Sequence, residues 1–199
     1  PPRVLISGSA IGIYGDRGAE VLTESSTLGS DFLADVGRAW ESATAGIEEA
    51  GVRVVHLRTG IVLSSEGGAL AKLLPPFRLG AGGPIGDGRQ WMSWIGLHDQ
   101  VAMILWLLER SEVRGAVNAV APNAVTNAEF ARVLGAVLSR PAVLPVPAFA
   151  LKLAFGEMAE ATILASQRVV PTVALEHGFP FAEEGLAGAL RRALGVPRV

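Results

Sequence analysis

Three short stretches combine reactive or cationic side chains with glycines that let a backbone approach a ligand. The first is Ile6-Ser7-Gly8-Ser9-Ala10-Ile11-Gly12-Ile13-Tyr14-Gly15. A serine at the carboxyl end of a strand hydrogen-bonds a carbonyl or hydroxyl, and a tyrosine a turn away donates a proton if its pKa is lowered. Spacing alone favours the plainer alternative, a Gly/Ser loop with a packed tyrosine. The second stretch is Leu57-Arg58-Thr59-Gly60. Its arginine would grip a phosphate or carboxylate with two parallel donors, or be paired structurally. The third is Gly86-Asp87-Gly88-Arg89-Gln90-Trp91, followed by Trp94 and His98-Asp99. Here Arg89 would clamp a phosphate and the tryptophans would wall a pocket; the alternative is a turn with tryptophans in the core. The density of such groups favours function in this third stretch. His98 by itself reads as a helix cap.

Composition removes whole classes of chemistry. The chain has 199 residues and no cysteine, which excludes disulfides, thiolate metal sites and thiol nucleophiles. His56, His98 and His177 are scattered, so no metal site is expected. Gly-x-Ser-x-Gly is absent, and Glu48-Glu49 and Glu183-Glu184 read as solvated helix charges. Lysine chemistry has two positions only, Lys72 and Lys152. The net charge is −2 with no basic block, so a nucleic-acid partner is not expected. The longest apolar run, Val101 to Leu108, is far short of the about 20 residues a spanning helix needs, so no membrane partner is expected either. Half the residues are hydrophobic, enough for a sizeable core.

Alternating strand and helix signals must position these residues. Val4 to Ser7 reads as a strand breaking into a small-residue loop. Phe32, Val36, Trp40, Ala43, Ile47 and Ala50 fall at helical spacing, with Ser30 or Asp31 as N-cap and Gly51 just past the end. Val52 to Leu57 is a β-branched strand, and Ala69 to Leu74 a helix stopped by Pro75-Pro76. Gly80 to Gly88 is a loop, Trp91 to Ile95 a strand, and Asp99 to Glu109 an apolar helix. Ala116 to Val120 is a strand. Thr126-Asn127-Ala128-Glu129 has capping-box spacing and opens a helix to about Leu138. Pro141, Pro145 and Pro147 punctuate an extended link, with helices over 148–166 and 183–194. The pattern is that of a parallel α/β sheet running into a more helical part.

The series Ser-Gly-Ser-Ala-Ile-Gly-Ile-Tyr-Gly-Asp and Asp-Phe-Leu-Ala-Asp-Val-Gly-Arg-Ala-Trp-Glu resemble an atypical or extended short-chain dehydrogenase/reductase. So do Leu-Arg-Thr-Gly-Ile-Val-Leu, Gly-Arg-Gln-Trp-Met-Ser-Trp-Ile-Gly-Leu-His-Asp, Val-Asn-Ala-Val-Ala-Pro-Asn-Ala-Val-Thr-Asn and Leu-Glu-His-Gly-Phe. More narrowly, the chain resembles the NAD-dependent epimerase/dehydratase subgroup called nucleoside-diphosphate-sugar epimerase or SulA-type cell division inhibitor, over its entire length.

The resemblance implies a Rossmann-like parallel sheet with a small, mostly helical C-terminal substrate lobe. Residues 1–64 and about 90–121 would contribute to the sheet, and 65–89 and 122–199 to the lobe and C-terminal helices. The family's Gly-x-x-Gly-x-x-Gly phosphate loop is not in this chain, and by the family's pattern belongs about a hundred residues before Pro1. The chain is thus expected to lack an N-terminal Rossmann half and to be inactive alone. The implied cofactor is NADP or NAD, bound by Ser7, Arg58, Thr59 and Gly60, with Arg58 and Thr59 near its nicotinamide end. Ser9 and Tyr14 would orient or protonate substrate, and Arg89, Trp91 and Trp94 would bind it. The family's Tyr-x-x-x-Lys dyad is missing: Tyr14 is the single tyrosine, with Gly18 four residues on. Such a dyad is worth about 10²–10⁴-fold in rate. The expected function is an NAD(P)-dependent oxidoreductase or epimerase-like protein; the alternative is a non-catalytic dinucleotide sensor or partner-binding module. The expected partners are a small-molecule substrate (a nucleotide-sugar or other anionic carbonyl compound) and a second copy in a homodimer. The expected location is cytoplasmic.

Overall fold

In a computed structural model of the chain, the described residues are 2–146 and 164–197. Pro147 and nearly all of the helix expected over 148–166 lie outside them. The centre is a three-stranded parallel sheet, β1 (Val4–Ala10), β3 (Arg53–Thr59) and β7 (Gly115–Ala119), with β3 in the middle. Strand β1 includes Ser7 as expected and runs three residues past it, so Ser9 is a strand residue and not a loop residue. A 3-10 turn, Ile11–Tyr14, follows directly.

Helix α1 (Phe32–Ser42) and helix α4 (Leu97–Glu109) cover opposite faces of this sheet. Register decides which side chains share a face: Ser9 aligns with Arg58, and Arg58 with Asn118. Strand side chains alternate, so Val55, Leu57 and Val117 point the other way. They pack with Met103, Trp106 and Leu107 of α4 into an apolar core. The α1 face is polar. The two crossovers step the sheet order in one direction but lie on opposite faces, so they have opposite hands, against the usual right-handed rule.

The apolar period of the first helix marks its outer side. Phe32, Trp40 and Ile47 are exposed, Phe32 by 77%. Ala34 and Gly37 face inward, Asp31 caps the helix by accepting from the Ala34 amide, and the run breaks at Ala43-Thr44 before α2 (Ala45–Glu49). Thr44 is buried against His56, which ends α1 early.

The lobe grows from the carboxyl ends of the strands. Strand β4 (Ile61–Leu63) pairs with β6 (Trp94–Gly96), and β5 (Trp91–Met92) with β8 (Val125–Thr126), so the strand expected over 91–95 is two strands in two sheets. Helix α3 (Gly68–Arg78) carries Pro75 and Pro76 inside it instead of stopping there. Its buried stripe Leu70, Leu74 and Phe77 outweighs the two lost backbone bonds. Helix α5 (Asn127–Leu138) starts at the expected cap, Thr126, which accepts from the Glu129 amide. Short β2 (Val21–Leu22) pairs with β9 (Arg168–Val169), and α6 (Thr172–Glu176) and α7 (Leu186–Leu194) close the chain.

Gly60 sits where sheet and lobe meet. A Cβ there would stand 2.7 Å from the Ser93 carbonyl oxygen and 2.7 Å from Val120 Cγ1. Gly60→Ala is therefore expected to destabilise the fold by about 1–3 kcal/mol, the usual cost of overpacking. The denaturant midpoint reads this; an unchanged midpoint would contradict the packing described.

Candidate active site

The expected chemistry-bearing residues separate into two groups. The first is a polar row on the α1 face, just below the strand ends. Arg58 is buried, and its Nε and Nη2 donate to Glu41 Oε1 and Oε2, each at 2.8 Å. Its Nη1 donates to the Tyr14 hydroxyl at 3.0 Å. The Tyr14 hydroxyl donates in turn to Asn118 Oδ1 at 2.7 Å. Ser9 donates its hydroxyl to Glu41 Oε1 at 2.8 Å. Glu24 closes the row at the outer edge of β7, its Oε1 accepting the Asn118 amide at 3.0 Å.

These contacts set the protonation states. Burial alone would raise the Glu41 carboxyl, but the Arg58 and Ser9 hydrogen bonds and the Arg58 charge outweigh it and lower its pKa. Burial raises the Tyr14 phenol, and the Arg58 charge and bonds offset this only in part. Burial would lower Arg58, but its Glu41 and Tyr14 bonds raise it. The lowered phenol pKa expected for a proton donor is thus reversed.

Several expectations change with this geometry. Arg58 is a structural ion pair, not an anion clamp. Ser7 lies beside His56, two residues below the Ser9–Arg58 pair, and not at the strand end. Gly60 serves close packing. Trp94 is fully buried, its indole N–H donating to the Asn123 carbonyl at 3.0 Å, and so is core rather than pocket wall. Glu41 and Asn118 were missed. Asn118 had a signal, a polar residue inside the apolar run Ala116 to Val120. Glu41 follows Gly37 on the small-residue face of α1, a pattern masked by the stronger apolar one.

The second group lies at the strand ends and lobe. Gly8 and Ala10 are exposed on the α4 face. Thr59 aligns with Ala10, and its hydroxyl accepts from Gln100 Nε2 at 3.4 Å. Among the described residues, Gln100 Oε1 is buried and has no hydrogen-bond partner. In the lobe, Gly86 and Gly88 adopt positive φ, and the loop is pinned by Asn127 Oδ1 accepting the Ile85 amide at 2.7 Å. Arg89 projects from this loop, exposed. Trp91 is half-buried, with Arg168 stacked over its ring. A cleft of about 420 Å³ between α4 and α7 is lined by His98, Asp99 and Glu183 and by none of the serine, tyrosine, arginine or tryptophan candidates. No described helix is long and apolar enough to cross a membrane.

A parallel sheet with helices on both faces and an open carboxyl edge is a Rossmann-like, short-chain dehydrogenase/reductase fold. Within that class the sequence is similar to proteins named as epimerase family proteins. It is 46% identical over 190 residues, 96% of this chain and 54% of the relative, to the chloroplastic epimerase family protein SDR39U1 homolog of Arabidopsis thaliana. It superposes on the crystal structure of human epimerase family protein SDR39U1 with NADPH at a TM-score of 0.90 and 34% identity, covering 98% of this chain and 66% of that one. A nucleoside-diphosphate sugar epimerase from Corynebacterium glutamicum matches at 0.77 and 38% identity, over 97% of this chain and 38% of that one. Residues 146–193 match a domain of unknown function, DUF1731. The chain thus spans 54% of the plant relative, 66% of the human one and 38% of the Corynebacterium one.

Two measurements check the polar row. Glu41→Gln removes one partner of a buried pair and is expected to cost about 3–5 kcal/mol of stability. Because folding lowers the Glu41 pKa, its contribution is complete above the unfolded value, about 4.3, and is lost as pH falls through the folded one. The variant should lose this acid-side slope; an unaltered slope would contradict the pairing. Tyr14 is the single tyrosine, so ultraviolet titration reports it alone. Tyrosinate should form above the unfolded control; formation at or below it would contradict the burial.

Proposed function

We propose that the protein is an NAD(P)-dependent oxidoreductase or epimerase-like member of the short-chain dehydrogenase superfamily that works without a Tyr-x-x-x-Lys dyad. The likeness to the human NADPH-bound structure over 98% of this chain carries the reading. It takes the nucleoside-diphosphate-sugar epimerase side of the resemblance over the cell-division-inhibitor side. Helix α1 holds neither tyrosine nor lysine.

The residues at the strand ends suit a nicotinamide. Gly8 and Ala10 offer a floor of small side chains, Thr59 a hydroxyl, and Gln100 Oε1 an acceptor for a carboxamide N–H. The cofactor would supply the hydride; its phosphates would be held by the part of the relatives this chain does not span. On this reading the chain forms one α/β unit with its lobe. Ser9 already donates to Glu41, so toward a substrate hydroxyl it is an acceptor, and a proton taken there would move Ser9's own to Glu41. Tyr14 positions Arg58 and Asn118 and keeps its proton. Arg89 and Trp91 meet an anionic carbonyl substrate such as a nucleotide-sugar. A second reading, a dinucleotide sensor without turnover, is favoured by the internal partners that Ser9 and Tyr14 already have.

Fluorescence titration of NADPH into the protein at the length of its relatives should show saturable binding. Gln100→Leu should weaken it about 2- to 10-fold, the worth of one neutral hydrogen bond. No binding would sink both readings, and binding with no turnover across a broad carbonyl panel would select the sensor.

A further inference from the structure

A second, cationic cleft opens at the amino ends of the central strands. The seven residues of β3 put it about 20 Å from the carboxyl ends that carry the candidate site. Its volume is about 390 Å³, and Arg3, Arg114, Glu48, Val52 and Val54 are among its walls. One residue before the pairs Val4–Arg53 and Gly115–Val55, Arg3 lies beside Val52 and Arg114 beside Val54. Aligned residues of a sheet share a face, so both arginines stand on the side of Val52 and Val54. These valines are buried and form an apolar floor between the two cations. The arginine Cα atoms are two strands and two residues apart, about 12 Å.

A third arginine holds the other two in place. Arg53 turns to the opposite face, where its Nη2 donates to the Leu107 carbonyl in the last turn of α4 at 2.8 Å. Its Nη1 donates to the Val113 carbonyl at 2.7 Å and so fixes the turn that presents Arg114. The Arg53 amide donates to the Arg3 carbonyl at 3.4 Å, at the entry to β1. Arg3 and Arg114 are exposed. Among the described residues neither side chain has a hydrogen-bond or ion-pair partner. Glu48 is the one carboxylate among the described residues that line the cleft. Three arginines against one glutamate leave it a charge of +2. Like charges held together repel, and a bound anion relieves that repulsion.

We infer that this cleft binds a polyphosphate-type anion, either an inorganic chain or the phosphates of a nucleotide. Two unspent guanidinium forks each suit one tetrahedral oxyanion, and their separation favours a ligand with more than one. A volume near 390 Å³ is in the range of small-ligand sites. The inference does not rest on the proposed activity, because the cleft lies at the other end of the sheet.

The test is calorimetric titration of sodium tripolyphosphate, ADP and citrate at fixed ionic strength. It is run on the 199-residue chain and on the protein at the length of its relatives. Tripolyphosphate should bind both. Arg3→Gln and Arg114→Gln should each weaken it about tenfold, for one charge-assisted contact apiece. Glu48→Gln removes the like charge and should tighten it about threefold. All three residues are exposed, so the melting midpoints should stay with the parent. ADP binding that is as tight, and weakened by the same arginine changes, assigns the nucleotide source; tighter tripolyphosphate assigns the inorganic chain. Unchanged affinity in both arginine variants would overturn the inference. So would citrate binding as tightly as tripolyphosphate, or binding by the 199-residue chain that the longer protein lacks.

Discussion

The buried pair between Arg58 and Glu41 joins the central strand to the helix that crosses over it. Two charges removed from water cost several kcal/mol each by solvation, so the pair persists through its geometry. Both carboxylate oxygens receive a guanidinium N–H at 2.8 Å, and Ser9 adds a third donor. The rest of the α1 face follows from this. The helix must come close enough for Glu41 to reach the sheet, which requires Ala34 and Gly37 on its inner side. A Cβ on Gly37 would stand 2.9 Å from Ile13 Cγ1. Tyr14 and Asn118 carry the network across to β7, and Glu24 ties β7 to the start of α6 through the Val173 amide.

Local pattern showed the elements better than it showed their faces. Strands β3 and β7, the apolar helix α4 and the Thr126 cap were all legible, because β-branched runs and capping chemistry act over a few residues. The orientation of α1 was not. Periodicity separates apolar from polar positions on a helix, but the side that meets the sheet depends on what the sheet presents. Here it presents Ser9, Arg58 and Asn118. Pro75 and Pro76 misled for a related reason: local rules end a helix there, and burial of Leu70, Leu74 and Phe77 in the lobe overrides them.

The candidate site was legible as a set of residue types and not as a set of roles. Arg58 meets Glu41 across 17 positions and Tyr14 across 44. No local spacing encodes such contacts. Once they form, Arg58, Ser9 and Tyr14 have internal partners, and the candidate residues left exposed or half-buried include Thr59, Arg89 and Trp91. Trp94 is drawn into the lobe core by the same closure, because Gly60 lets β6 pack directly under the end of β3.

The α1 face of the fold depends most on the Arg58–Glu41 pair acting as one unit. A double-mutant cycle measures that directly, by comparing unfolding free energies of Arg58→Met, Glu41→Leu and the double variant. Each single change leaves a buried charge alone and should destabilise strongly, whereas the double change removes both charges and should recover most of the loss. A double variant whose destabilisation equals the sum of the two singles would contradict the pairing as the constraint on which this fold is built.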